Sequence, residues 1–192
     1  AVPLKIAIPV KLKNAARWVW QKRWIRRATY LLSSVFLIFF ILNLFFPLRI
    51  ETDYSQIVTA EDGTVLSAYL NSDDKWRLYT ELDEITPELS KAIIYKEDKY
   101  FYYHFGVNPA AMLRALYNNV TTGKRTSVAS TITMQVARLL YPAERTYLNK
   151  IIETFRAFQL EWKYSKNEIL QLYLNLVPYG SNVEGVKSAT LL

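Results

Sequence analysis

The longest stretch without a charge covers residues 28–48, and it is apolar on all sides rather than striped (YLLSSVFLIFFILNLFF). A helix of that length rises about 31 Å, against a hydrocarbon core of about 30 Å, so the run is predicted to span a membrane. A buried core helix usually keeps polar groups on one face. A cleavable leader would end in small residues, whereas this run ends in Phe45-Phe46-Pro47, with Arg49 following. Beyond it, residues 56–60 and 65–69 read as short strands joined across Glu61-Asp62-Gly63, a hairpin signal, and 76–79 is a candidate third strand. From Thr86 the period turns helical. Thr86 can cap, Pro87 fits the first helical position and Glu88 suits the positive end of the helix dipole. The predicted helix covers 86–104 and stops near Gly106. Leu89, Ile93, Glu97, Tyr100, Phe101 and His104 recur on it at three and four residue steps, which puts Glu97 on the apolar stripe, facing the interior or a cleft.

A loop rich in Thr, Gly and basic residues (TTGKRTS) leads to Ser130, the expected cap of a helix over 130–140 that ends before Pro142. The next helix, 146–162, is expected to bury Leu148, Ile151, Ile152, Phe155 and Gln159. A capping box, Ser165-Lys166-Asn167-Glu168, opens another over 166–175. A last helical pattern starts at 183 and is still running at Leu192, as in a fragment of a longer chain. The pattern gives a basic tail (1–27), a transmembrane helix (28–48), a β-rich juxtamembrane element (49–85) and a helical domain (86–192).

Charge sharpens this picture. Lys5, Lys11, Lys13, Arg17, Lys22, Arg23, Arg26 and Arg27 precede the span with no acidic residue among them, which predicts a cytoplasmic amino end and an outer domain. Removing those eight from 24 basic residues leaves 16, against 17 acidic ones, so the outer part is near −1 and nucleic acid is a poor partner. The basic tail reads as a topology signal that also contacts anionic membrane lipids. The chain has no cysteine, so no disulfide framework holds the outer region together and it must rest on a hydrophobic core.

Glu97 and Glu153 stand out as helix carboxylates among apolar and aromatic neighbours with basic groups close in sequence. Paired carboxylates suit glycosyl chemistry, in which one moves a proton at a sugar hydroxyl and the other stabilises developing charge. For an arbitrary pair of helix glutamates, salt bridges on solvated faces are the commoner reading. His104 is the only histidine, and with no cysteine a zinc site lacks donors; a structural histidine near Glu97 and Asp98 fits better. The aromatic run at 100–105 reads as core and cleft wall rather than a nucleobase platform.

The motifs then turn the balance. Glu97-Asp98-Lys99-Tyr100-Phe101-Tyr102-Tyr103-His104-Phe105-Gly106 resembles E-D-x-x-F-x-x-H-x-G, the first motif of glycosyltransferase family 51, the transglycosylase domain of class A penicillin-binding proteins. In the family's order, Ser130-Thr131-Ile132-Thr133-Met134-Gln135 is similar to S-T-I-T-x-Q, and Lys150-Ile151-Ile152-Glu153 to the end of R-K-x-x-E. The run from Lys166 to Asn175 (KNEILQLYLN) is similar to K-x-x-I-L-E-x-Y-L-N, and Tyr179-Gly180 falls where the fifth motif does. The segments Met-Gln-Val-Ala-Arg and Gln-Leu-Glu-Trp resemble the 1C class. The resemblance covers about residues 58–192. It implies a mainly α, lysozyme-like fold with a small membrane-dipping jaw, and polymerisation of glycan strands from lipid II with inversion and release of undecaprenyl diphosphate, without a nucleotide cofactor.

By the same resemblance Glu97 is the base that activates the acceptor hydroxyl, and Glu153 assists near the leaving diphosphate, directly or through a divalent cation such as Mg or Mn. Arg138, Arg145 and Lys150 lie on or just before the helices that would flank a diphosphate, and Asp98, Ser130, Thr131 and Gln135 add polar groups for substrate. Phe101, His104 and Gly106 support the first motif. Three positions depart from the pattern. Val128 stands for Gly, Asn149 for the Arg of R-K-x-x-E and Gln171 for Glu. Val128 and Asn149 keep a second reading in view, a weakened scaffold that binds lipid II or glycan and recruits cell-wall synthesis proteins. A third, lysozyme-like hydrolysis, fits the carboxylates but needs no cationic cluster.

Overall fold

The computed structural model describes residues 22–122 and 130–191, and the chain divides between Pro47 and Leu48 into two units. In the first, α1 (Arg23–Phe45) is a helix of 23 residues with no buried residue, and an 18-residue window of it reaches mean hydropathy 2.1, long and apolar enough to cross a membrane. It starts before the predicted 28 because Arg23, Arg26 and Arg27 are good helix formers that extend it by one turn. It ends before 48 because Pro47 disfavours helical backbone at Phe46, which sits at φ −125°, ψ 64°.

The second unit opens with the predicted hairpin, β1 (Gln56–Thr59) and β2 (Val65–Tyr69), antiparallel in the register Gln56↔Tyr69, with Gly63 at φ +84° in the turn. The third strand, β3 (Trp76–Arg77), is shorter than predicted and belongs to another sheet. Separated by the helices α2 (Pro87–Glu97), α3 (Pro109–Thr122), α4 (Ile132–Leu140), α5 (Tyr147–Lys163) and α6 (Lys166–Leu176), the chain returns as β4 (Pro178–Gly180) and β5 (Val183–Glu184), and α7 (Val186–Leu191) follows. β5 lies between β4, antiparallel, and β3, parallel. The helix expected from 183 therefore begins three residues later, because 183–184 forms the middle strand of a sheet that includes β3, more than 100 residues earlier in the sequence.

The caps explain most helix starts. Thr146 accepts from Asn149 N, and Ser165 with Glu168 forms the predicted capping box. α4 is capped by Thr131, whose hydroxyl accepts from Met134 N, rather than by Ser130. α3 was not legible from periodicity, yet it has a local start signal: Asn108 Oδ1 accepts from Ala111 N at 3.0 Å ahead of Pro109. The core gathers Phe101, Ile132, Val136, Leu160, Ile169, Leu170 and Leu174 around α4, α5 and α6. This is the mainly α architecture with small sheets that the motifs implied.

α6 is tied to the β-rich segment by two amides. Asn175, buried, accepts from Thr80 N and donates to Thr80 O, both at 2.9 Å, replacing a strand partner. Gln171 donates to Tyr79 Oη and to Glu81 Oε2, each at 2.7 Å. A glutamate at 171, the family's residue, would set a carboxylate against Glu81, so the amide is matched to this chain's own neighbour. Tyr79 donates to Glu81 Oε1 at 2.6 Å, and that bond with the carboxylate is the main reason its hydroxyl pKa is pushed up to about 12. Gly185, at φ +82°, passes so close to Asn175 that a Cβ would sit 2.7 Å from its carbonyl oxygen.

Two outcomes are expected. Gly185→Ala destabilises the folded unit by about 1–3 kcal/mol from backbone strain alone, read as a lower denaturant midpoint. Gln171→Glu costs up to about 1 kcal/mol, and adding Glu81→Gln recovers most of it, because the like-charge contact is then removed.

Candidate active site

Asp98 ends α2. Its backbone leaves the helix at φ −157°, ψ 75°, and its buried carboxylate accepts from Ile132 N, the first residue of α4, at 3.1 Å. The same carboxylate lies 2.9 and 3.0 Å from His104 Nε2, so that nitrogen is the one that donates to it. Nδ1 of His104 is buried and has no hydrogen-bond partner among the described residues. These bonds outcompete continuation of the helix, so the expected helix over 86–104 stops at Glu97, and Phe101–Tyr103 forms a separate 3₁₀ turn.

The stop changes which carboxylate is inside. Glu97, placed on an apolar stripe by periodicity, is exposed at the end of α2, and its neighbour Asp98 is the buried one. Gln135 Nε2, from α4, donates to Glu97 Oε2 at 3.1 Å. Tyr173 lies close by: burial first, then the negative charge of Glu97 and the neighbouring Tyr179, push its hydroxyl up to about 12, against the opposing pull of Arg138. It is therefore a neutral phenol beside a carboxylate. Sequence reasoning did not select Tyr173, although it is the Tyr of the fourth motif.

The remaining residues of the first motif brace this arrangement. Phe101 is fully buried, with the Lys166 ammonium 4.5 Å from its ring centroid. Gly106, at φ +73°, lies against Ala157, where a Cβ would be 3.2 Å from backbone atoms of α5, and the Thr131 hydroxyl donates to its carbonyl. Asp98 and Thr131, expected among the substrate-binding groups, make their bonds inside the protein. The aromatic run does not form a continuous core: Tyr100, Tyr102, Tyr103 and Phe105 are all at least half exposed.

A second cluster sits at the start of α5. Lys150 Nζ donates to Glu153 Oε1 and to Ser130 Oγ, both at 2.7 Å, and the Glu153 side chain is only 11% exposed. No hydrogen bond or ion pair among the described residues joins this cluster directly to Glu97. α4 is the element they share, with Ser130 before it and Gln135 on it. Arg138, one turn beyond Gln135, is half buried and makes no hydrogen bond or ion pair with a described residue; Arg145, in the loop before α5, is exposed and likewise unpaired. Asn149 donates from its side chain to Glu144 O at 2.9 Å, bracing the turn into α5, so this departure has a local role. Val128 lies outside the described residues.

The face of α5 differs from expectation. Leu148, Ile151 and Ile152 are exposed, and the buried positions are Ala157, Gln159 and Leu160, because only the second half of the helix packs against the core. Met112, Leu113, Tyr117 and Val120 of α3 are exposed as well.

The transglycosylase family model matches residues 62–192, which include every residue of both clusters. The chain is 42% identical to penicillin-binding protein 1C of Escherichia coli (strain K12) over 140 residues, covering 73% of this chain and 18% of that protein. It is 42% identical to penicillin-binding protein 1A of the same strain over 135 residues, 70% of this chain and 15% of that protein. Against penicillin-binding protein 4 of Bacillus subtilis (strain 168) it is 40% identical over 129 residues, 67% of this chain and 20% of that protein. The chain thus spans a fifth or less of the length of these relatives. With two thirds of its residues matched by the family model and the motif residues joined as described, this chain belongs to the transglycosylase family.

Proposed function

We propose that this chain polymerises peptidoglycan glycan strands from lipid II by inverting glycosyl transfer, with undecaprenyl diphosphate as leaving group. The observation that carries the proposal is the exposed Glu97 carboxylate held by Gln135, beside the Lys150–Glu153–Ser130 cluster on the shared α4–α5 pair. Glu97 takes the proton from the acceptor's sugar hydroxyl as that oxygen forms its bond to the anomeric carbon. The bond from that carbon to the diphosphate oxygen breaks, and its electron pair leaves with the diphosphate. Lys150, with Arg145 and Arg138, stabilises the charge that develops there. Glu153 keeps Lys150 aimed, and Ser130 supplies a hydroxyl at the same ammonium.

Asp98 and His104 act one step back, as positioning residues: their contact ends α2 so that Glu97 projects, and it holds the first turn of α4, which carries Gln135. Among the described residues no three His, Cys, Asp or Glu groups converge, and Glu153 is engaged by Lys150, so no step is routed through a metal. The basic amino end supports an orientation with the second unit on the outer side, where lipid II is presented, and the exposed apolar residues of α3 and early α5 support contact with the bilayer that holds the polyprenyl tail.

The scaffold reading rested on Asn149 and Val128; Asn149 has a local partner that accounts for it, and Val128 lies outside the described residues. In detergent with labelled lipid II, the parent yields polymer. Glu97→Gln lowers kcat by about 10²–10⁴-fold while still binding lipid II; polymer at the parental rate from Glu97→Gln overturns Glu97 as the base. Lys150→Met lowers kcat by about 10²-fold, since one stabilising cation is gone and Glu153 loses its partner. A folded parent that binds lipid II and makes no polymer returns the scaffold reading.

A further inference from the structure

A cavity of about 580 Å³ opens in the second unit with Arg138 in its wall, while Glu97 and Gln135 are not among its lining. Its size suits a small organic ligand. Its charged walls carry both signs, from Glu51, Asp73 and Glu184 against Lys75, Arg77 and Arg138, and Leu140, Pro142 and Leu176 supply an apolar side.

These charges are unequally engaged. Arg77 is committed to the fold: it donates to Glu184 Oε2 at 2.9 and 2.7 Å and to Asp53 O at 2.9 Å, in the strand pair β3–β5. Lys75 approaches Glu184 only to 3.7 Å, and Asp73 approaches Arg77 only to 3.7 Å with its side chain 62% exposed, so both pairs are too long for a direct hydrogen bond. Glu51 is exposed and has no hydrogen bond or ion pair with any described residue. The cavity therefore offers carboxylates able to take an ammonium group and a lysine able to take a carboxylate. An anion alone would meet Glu51 and Asp73, and a cation alone would meet Lys75. A zwitterion with small apolar side chains satisfies both signs and the apolar side.

The cavity is placed to receive a branch of the glycosyl substrate. Arg138, in the cavity wall, sits one helical turn beyond Gln135, the partner of Glu97, on the same helix. The polymerised sugars of peptidoglycan bear a short peptide with free amino and carboxyl groups. We propose that this cavity is the subsite for that zwitterionic peptide, its ammonium held by Glu51 and Asp73 and a carboxylate by Lys75. The subsite rests on the lipid II reading of Glu97, and it would make the enzyme select substrate by its peptide as well as by its sugar and lipid.

The test is equilibrium binding, by fluorescence anisotropy, of the detergent-solubilised chain to lipid II labelled on its lipid, and to the same lipid lacking the peptide. The parent binds the peptide-bearing lipid at least about tenfold more tightly, and Glu51→Lys and Asp73→Lys each bring that ratio to within about threefold of unity. Glu51→Lys alters an exposed group without internal bonds, so its folding, checked by thermal melting, is retained even where Asp73→Lys unfolds. Equal binding of the two lipids by the parent, binding of neither, or a ratio unchanged in Glu51→Lys overturns the subsite. Polymer formation, followed separately, keeps the two proposals apart: polymer without peptide discrimination removes only the subsite, and discrimination without polymer removes only the polymerase.

Discussion

A single buried carboxylate organises the catalytic half of this protein. Asp98 is removed from water, and a buried charge is tolerated only where hydrogen bonds replace its hydration. His104 Nε2 and Ile132 N provide them. Those two bonds join three segments: the end of α2, the turn carrying His104, and the start of α4. Because Asp98 must turn inward, Glu97 turns outward, and because Ile132 N is held, Gln135 is placed where its amide meets Glu97. Gly106 and Thr131 continue the same brace onto α5, with the Thr131 hydroxyl serving both as cap of α4 and as donor to Gly106. The Glu97 carboxylate is thus positioned by packing that it does not itself share in.

α4 carries the consequence along its length. Its fully buried residues, Ile132, Thr133, Met134 and Val136, pack it into the core and so fix the groups that it carries. Around it stand a carboxylate with its amide, a lysine between a hydroxyl and a second carboxylate, and an arginine at the edge of a mixed-charge cavity. In the proposed reaction, acceptor activation, leaving-group charge and a substrate branch would all be served from this one helix. The altered motif positions fit this frame, since Asn149 braces the turn into α5 and Gln171 meets Glu81 at the rear of α6.

Much of the fold was legible because its signals are local. The charge-free run that became α1, the Asp-Gly turn of the hairpin, Pro87 at the start of α2 and the capping box of α6 depend on residues a few positions apart. The failures share a cause. Periodicity extended α2 through His104 because the spacing is helical, and nothing local announces that Asp98 will be claimed by an amide 34 residues away. It buried Leu148, Ile151 and Ile152 because they are apolar, although which half of α5 meets the core depends on where α4 and α6 lie.

The sequence by itself determined the run long and apolar enough to cross a membrane, the starts of several helices and the identity of the motif residues, because covalent spacing and side-chain chemistry suffice for those. Only the tertiary structure decided which of two adjacent carboxylates faces solvent, that Tyr173 stands near Glu97, that Val183 and Glu184 form a strand beside Trp76 and Arg77, and that Glu51 and Lys75 line one cavity with Arg138. Each of these follows from contacts between residues far apart in the chain, whose energies exist only once the chain is folded.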